Sequence, residues 1–440
     1  MTIDVITMGC SKNLIDSERL LKRLSAAGHS LRHDPEHPAA DYVVVNTCGF
    51  IADAKEESIN MLLSLGEAKQ RGEIGKIVVM GCLSQRYMDE LKELLPEVDV
   101  WYGKFDWKNF LDTLPDETSG EENKPKDYER ELTTAPHFSY LKISEGCNRF
   151  CAFCAIPLIT GRHTSRPEEE ILEEVKSLVA SGVKEFNVIA QDLSSYGLDT
   201  SGTHRLAPLI DAMAEIPGVE WIRLHYAYPA DFPEDILDVM ATHENVCAYL
   251  DIALQHISDK VLNNMRRHFT KEQTLSLIRK IREKVPGIAL RTTLMVGFPG
   301  EGEEEFEELM QFVKETRFER LGAFAYSEEE DTWAAQHLKD EVPENVKQDR
   351  LNRLLALQEI ISKENNRGQV GKTIRVIVDK IEENTAYCRS EHDSPEVDQE
   401  IIVALDGLAD NKRPQEGDFI SVNISEALEF QLLAEPADGE

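Results

Sequence analysis

The 440-residue chain carries 48 Lys and Arg against 81 Asp and Glu, a formal charge of −33. With 41% hydrophobic and 29% charged residues its composition is ordinary for a globular protein, which excludes wholesale disorder, and the length fits about three domains. So acidic a chain repels phosphate backbones and favours a basic protein partner, and no apolar run approaches the roughly 18 residues of a membrane span.

Met1 to Cys10 carries Asp4 and lacks the basic start of a signal peptide, so the chain is expected in the cytoplasm. In that reducing compartment the eight cysteines (Cys10, Cys48, Cys82, Cys147, Cys151, Cys154, Cys247 and Cys388) read as thiolate ligands or buried apolar groups.

Apolar runs and helical periodicity alternate from the start. Strands are expected at Ile3–Met8, Tyr42–Asn46 and Lys76–Met80, and helices at Leu14–Ala27, Ala52–Lys69 and Gln85–Leu95. Such alternation predicts a parallel α/β sheet, whose C-terminal strand ends form one ligand-binding edge. Cys10, Cys48 and Cys82 each fall just beyond one of these strands, so three sulfurs distant in sequence should converge there.

Leu114 to Thr134 is polar, lacks periodicity and reads as a linker. Strands then follow near Tyr140–Ile143, Glu185–Ala190, Trp221–Leu224, Ala248–Ile252, Ile288–Val296 and Leu321–Phe324. Helices between them include Pro167–Ala180, Thr270–Lys284 and Glu303–Thr316. About six β-α units predict an incomplete barrel with its site at the C-terminal strand ends. A last helix, Glu344–Asn366, precedes strands at Lys372–Ile381, Thr385–Ser390, Gln399–Val403 and Asp418–Ile424, a pattern that suits a small oligonucleotide-binding-type β-barrel. From Asn366 onward seven Lys/Arg face seventeen Asp/Glu, a net of −10, whereas nucleic-acid barrels are basic.

The sharpest signal is Cys147-x3-Cys151-x2-Cys154, just after the first strand of the second region. Three thiolates so close can each take one iron of a cubane cluster, and the missing fourth cysteine leaves one iron open. That vacancy suits S-adenosylmethionine, with Phe153 packed beside its adenine. Zinc would need a fourth ligand, for which His163 is the nearby choice, and an electron-transfer cluster would need Cys247 from across the barrel. Cys247 and Cys388 read instead as ordinary apolar or surface positions. Ser194 and Ser195 make no nucleophile elbow, and Arg162 and Arg166, downstream of the cysteine loop, could pair with a carboxylate, although exposed arginines are more often merely solvated.

The Cys-x3-Cys-x2-Cys run opening a six-fold β-α region resembles the radical S-adenosylmethionine superfamily. Adding the preceding domain with Cys10, Cys48 and Cys82 and the final barrel, nearly the whole chain resembles its methylthiotransferases. Two branches of these differ in substrate, one modifying tRNA adenosine (the MiaB type) and one an aspartate of a ribosomal protein (RimO). Gly9-Cys10-Ser11-Lys12-Asn13-Leu14-Ile15-Asp16-Ser17-Glu18, Tyr140 to Cys147, Ala190-Gln191-Asp192 before Tyr196-Gly197, and the acidic Arg389 to Asp398 are similar to RimO. Met295-Val296-Gly297-Phe298-Pro299-Gly300-Glu301 resembles a superfamily loop near the cofactor.

The resemblance implies an α/β protein of three parts. These are an N-terminal methylthiotransferase domain (1–115), a partial (βα)6 radical-SAM barrel (133–364) and a TRAM/OB-like barrel for substrate recognition (367–437). It implies two [4Fe-4S] clusters, on Cys10/Cys48/Cys82 and on Cys147/Cys151/Cys154. The second would bind S-adenosylmethionine, and a flavodoxin- or ferredoxin-like protein would supply electrons. The implied activity has two half-reactions, methyl transfer to sulfur on the first cluster and then radical attack at an aspartate β-carbon. The implied substrate is small-subunit ribosomal protein S-twelve, met free or in the subunit, with no membrane partner. The acidic barrel argues against tRNA, and salt should weaken capture of a basic protein. A tRNA methylthiotransferase and a non-catalytic iron–sulfur carrier are the alternatives.

Overall fold

The computed structural model describes residues 1–104, 106–114, 125–406, 408 and 410–437. The first sheet is wholly parallel and holds β1 (Thr2–Thr7), β2 (Ser30–His33), β3 (Tyr42–Thr47), β4 (Lys76–Gly81) and β5 (Val100–Trp101), in the order β2-β1-β3-β4-β5. Central β3 is buried on both faces, which its unbroken Val43-Val44-Val45 run reflects. Edge strands β2 and β5 escaped the sequence reading, because four half-polar residues and a two-residue strand carry too little periodicity. The helices are α1 (Ser11–Ala26), α2 (Ala52–Gln70), α3 (Cys82–Leu94) and α4 (Trp107–Thr113). Helix α3 begins at Cys82 itself, three residues before its expected start.

The expected linker falls partly on 115–124, outside the described residues. Its second half, 125–134, has no helix or strand, yet it is a strap held by Arg130, whose side chain is 1% exposed.

The second sheet has the order β13-β12-β11-β10-β9-β6 and is parallel throughout. It comprises β6 (Phe138–Lys142), β9 (Glu185–Ile189), β10 (Trp221–Ala227), β11 (Val246–Ile252), β12 (Ala289–Val296) and β13 (Arg320–Ala325). Alternate residues such as Val188, Leu224, Leu250 and Leu290 join one large apolar core with the surrounding helices. The opposite face carries Asn187, Arg223, His225, Asp251 and Arg291. Between β6 and β9 a ribbon of β7 (Ser144–Glu145) with β8 (Thr164–Ser165) and helix α5 (Ile156–Thr160) frame the loop of Cys147, Cys151 and Cys154.

The third sheet is a closed barrel, β14-β15-β16-β18-β17, made of β14 (Thr373–Glu382), β15 (Thr385–Ser390), β16 (Glu400–Ala404), β17 (Phe419–Ala427) and β18 (Gln431–Pro436). Four strands were expected. The fifth, β18, closes the ring by pairing parallel with β16 and antiparallel with β17. Some of its carboxylates seat it on the second sheet. Arg389 bridges Glu185 (2.7 Å) and Asp379 (2.6 Å), Arg320 pairs with Asp393, and Tyr249 donates to Asp398 at 2.8 Å. The acidic stretch Arg389 to Asp398 therefore faces the second sheet more than solvent, because the arginines it answers line the barrel interior.

Candidate functional site

At the C-terminal edge of the first sheet, Cys48 directly follows β3 and Cys82 directly follows β4, whose last residues Thr47 and Gly81 are in register. Cys10 caps α1 after β1, the other neighbour of β3. The three thiols feel one another's charge. Glycines let the loops touch: a Cβ on Gly9 would lie 2.8 Å from Cys48 Sγ, and one on Gly49 2.6 Å from Leu83 Cα. Gly9 also has φ +91°, a left-handed conformation that a side chain strains. Gly9→Ala is expected to open this trio and lower bound iron to about half while the other trio keeps its share. Full iron content in that variant would contradict this.

Asn13, to which the sequence reading gave no role, ties the three loops together. Its Nδ2 donates to the carbonyls of Met8 and Thr47, each at 3.1 Å, and its Oδ1 accepts from Cys82 Sγ at 3.5 Å. Burial raises the Cys10 thiol pKa, but Lys12, the Asn13 backbone N–H and Lys104 outweigh it, and the net shift is downward. Burial pushes Cys82 up to about 12 and raises Cys48 as well. Buried thiols of this kind ionise when a metal takes the proton's place.

The second trio lies in a loop pinned at its middle, where Ala152 N donates to Met265 O (2.9 Å) and Ala152 O accepts from Ala334 N (2.7 Å). Gly146, at φ +77°, backs onto Arg162 O, 2.2 Å from where a Cβ would sit. Cys147 Sγ accepts from Arg149 N at 3.5 Å and Cys151 Sγ from Arg267 Nη1 at 3.3 Å. Burial pushes Cys147 up to about 12, and both Cys147 and Cys154 feel the charge of Cys151. Phe153 stands edge-on to Phe298 at 6.1 Å, which joins the cysteine loop to the Gly297-Phe298-Pro299 loop.

Among the described residues no three His, Cys, Asp or Glu close on a point that would hold a single metal ion. A cubane does not ask for that, since each thiolate binds its own iron. His163, the fourth ligand a zinc site needed, is turned to Ser165 Oγ at 3.1 Å. Cys247 lies in an apolar cluster with Trp221, Tyr249 and Ala289, and Cys388 in the core of the closed barrel. Arg166 is not solvated: it pairs with Glu170 and Glu174, both at 2.8 Å. Arg162 lies over the Phe150 ring.

The two trios are neighbours. Helix α3, begun by Cys82, packs on α5, which follows Cys154. A buried polar run also links them. Lys104 Nζ is 3.3 Å from Asn13 Oδ1 and 2.9 Å from Asp16, Lys142 Nζ is 2.6 Å from Asp16 and 2.8 Å from Glu145, and Gln191 donates to Glu145, two residues before Cys147. Burial opposes charge on Asp16, but Lys104 and Lys142 hold its carboxyl well below the ordinary range. Three thiols beside Lys12 and Lys104 suit an anionic group.

Family models match three stretches: the radical SAM superfamily at residues 141–313, the uncharacterized protein family UPF0004 at residues 2–103 and the TRAM domain at residues 370–436. The chain is 54% identical over 434 residues to the ribosomal protein uS12 methylthiotransferase RimO of Phocaeicola vulgatus, covering 98% of each chain. It is 46% identical over 433 residues to the RimO of Chlorobium phaeobacteroides, covering 98% of this chain and 95% of that one. Among solved structures it is similar to the radical S-adenosylmethionine methyltransferase TsrM of Kitasatospora setae, solved with cobalamin and a [4Fe-4S] cluster bound. That likeness has a TM-score of 0.53 at 15% identity over 74% of each chain, and it speaks for the fold alone.

Proposed function

The chain belongs to the RimO family of ribosomal protein uS12 methylthiotransferases, and from that premise we propose that Cys10, Cys48 and Cys82 hold one [4Fe-4S] cluster and Cys147, Cys151 and Cys154 the other. It is a radical S-adenosylmethionine enzyme that transfers a methylthio group to uS12, with [4Fe-4S] clusters and S-adenosylmethionine as cofactors. The target is an aspartate β-carbon. This carbon bears no acidic proton, so base chemistry cannot activate it. The clusters, once bound, supply the sulfur carrier and the electron that cleaves S-adenosylmethionine to a radical.

The protein's own part is placement. Asp16, held anionic between Lys104 and Lys142, fixes the spacing of the two trios across the domain boundary. The Arg267 guanidinium and the Arg149 N–H donate to the sulfurs of Cys151 and Cys147 and orient them. Phe153, braced by Phe298, is the apolar surface for adenine. In this reading the unit 1–115 carries the first cluster, 133–364 the second, and 367–437 meets the substrate. With Asp393 and Asp398 turned inward, Glu383, Glu400, Asp406, Glu416, Glu426 and Glu435 are among the exposed carboxylates left to attract a basic protein. Flavodoxin- or ferredoxin-like proteins are the proposed reductants. The cytoplasm is the proposed compartment, consistent with reduced cysteines and with the absence, among the described residues, of a helix long and apolar enough to cross a membrane.

The observation that carries this reading is the buried run from Cys82 through Asn13, Lys104, Asp16 and Lys142 to Glu145, which joins the two trios at short range. The test is anaerobic incubation of reconstituted protein with uS12 or with tRNA, followed by mass analysis of each. One methylthio group should be gained on uS12 and none on tRNA. Gain on tRNA alone would overturn the reading.

A further inference from the structure

Lys12 stands two residues from Cys10, in the first turn of α1, and reaches across to the mouth of the second sheet. Its Nζ lies 3.7 Å from the centroid of the Tyr226 ring, near the C-terminal end of β10. Tyr226 has φ +64°, a left-handed conformation costly for a bulky residue, and the pairing of β10 with β11 slips between Leu224 and Ala227 around it. The ring packs against Phe138, Tyr140 and Ile189 of the sheet and Ile15 of α1. Strained backbone thus serves to set an aromatic face under an ammonium between the two halves of the site.

Most other cations around this mouth have carboxylate partners, Arg267 on Cys151 Sγ excepted. Lys104 and Lys142 share Asp16, Arg149 pairs with Asp192, and Arg291 with Asp251 and Asp398. Among the described residues Lys12 makes no ion pair, and its recorded side-chain contact is the tyrosine face. Its charge reaches Cys10 on one side and His225 and Asp251 inside the partial barrel on the other. A cation resting on a ring keeps a favourable contact while its remaining donors stay available to an anion.

We propose that Lys12, braced by Tyr226, binds the side-chain carboxylate of the substrate aspartate and selects aspartate over its amide. This inference rests on the reading of uS12 as substrate and deepens it. The carboxylate is one bond from the reacting β-carbon, so anchoring it two residues from Cys10 sets that carbon beside the first trio. Asparagine matches aspartate in shape but lacks the charge. Selection here rests on a charge-assisted hydrogen bond that an amide cannot reproduce.

The test is a double-mutant cycle read as affinity, with reconstituted full-length protein and purified uS12 whose modified aspartate is intact or replaced by asparagine. The parent should bind the asparagine form about tenfold more weakly. Lys12→Met should bind both forms alike, at the weaker level, with parental iron content, and Lys12→Arg should restore the preference. A Lys12→Met protein that keeps the parental preference overturns the proposal alone. One that loses iron overturns it too, by assigning Lys12 to the cluster. If the parent binds neither form, the substrate reading falls and the proposal with it.

Discussion

Cys151→Ala is expected to abolish reductive cleavage of S-adenosylmethionine, and with it methylthio transfer to uS12. Cys151 is the middle sulfur of its loop, within reach of the charges of both Cys147 and Cys154, and it accepts the Arg267 guanidinium at 3.3 Å. Removing it leaves two ligands where a cubane with an open iron needs three. Arg267, 3% exposed and stacked 4.2 Å over the Tyr228 ring, would then face a methyl group instead of a sulfur. Cys247→Ala is the matched control. That thiol is more deeply buried, in the apolar cluster of Trp221, Tyr249 and Ala289 away from the cysteine loop, so cleavage should continue at the parental rate. Product formation by Cys151→Ala, assayed by release of 5′-deoxyadenosine, would contradict the assignment of this trio.

Arg130→Met is expected to cost about 3–5 kcal/mol of stability, the usual consequence of stranding buried charge. Arg130 lies on the strap between the first two sheets. It donates to Glu18 of α1 at 2.7 Å, to Glu174 at 2.8 Å and to Ser139 Oγ at 2.7 Å. Both carboxylates have side chains 1% exposed. Glu174 keeps Arg166 at 2.8 Å, and Glu18 keeps the Thr133 N–H at 2.8 Å, so the loss is not of every partner. Because one planar fork serves both carboxylates, Arg130→Lys should recover only part of the stability. Denaturant unfolding measures this, and a loss under about 1 kcal/mol, the worth of a surface pair, would show that the strap does not clamp the two units together.

The cysteine trios could be read from the chain because each sulfur sits at a strand end or in a short loop, where one-dimensional spacing stands in for three-dimensional proximity. What joins them could not. Asp16 lies on α1 and Lys142 on β6, and nothing in either local sequence says that they meet at 2.6 Å; that depends on how two sheets pack. Asn13 belonged to a stretch already singled out, yet its role as a three-way tie appears only once Met8, Thr47 and Cys82 are brought together. Arg166 looked like a surface residue because its carboxylates, Glu170 and Glu174, sit on a helix whose polar residues resemble a solvated face. The acidic segment Arg389 to Asp398 misled in the same way. Its charge is visible in the sequence, but the arginines of β12 and β13 that answer part of it lie far away in the chain and meet it only through the packing of barrel on sheet. Strands β2, β5 and β18 are short edge or terminal segments whose existence is decided by a neighbour's unpaired backbone rather than by their own pattern.

The most direct test is the iron and sulfide content of anaerobically reconstituted protein, compared with variants lacking either trio. The account expects about eight irons in the parent. It expects about four in the Cys10→Ala/Cys48→Ala/Cys82→Ala protein and about four in the Cys147→Ala/Cys151→Ala/Cys154→Ala protein. About four irons in the parent, all lost with one trio and unaffected by removal of the other, would contradict it.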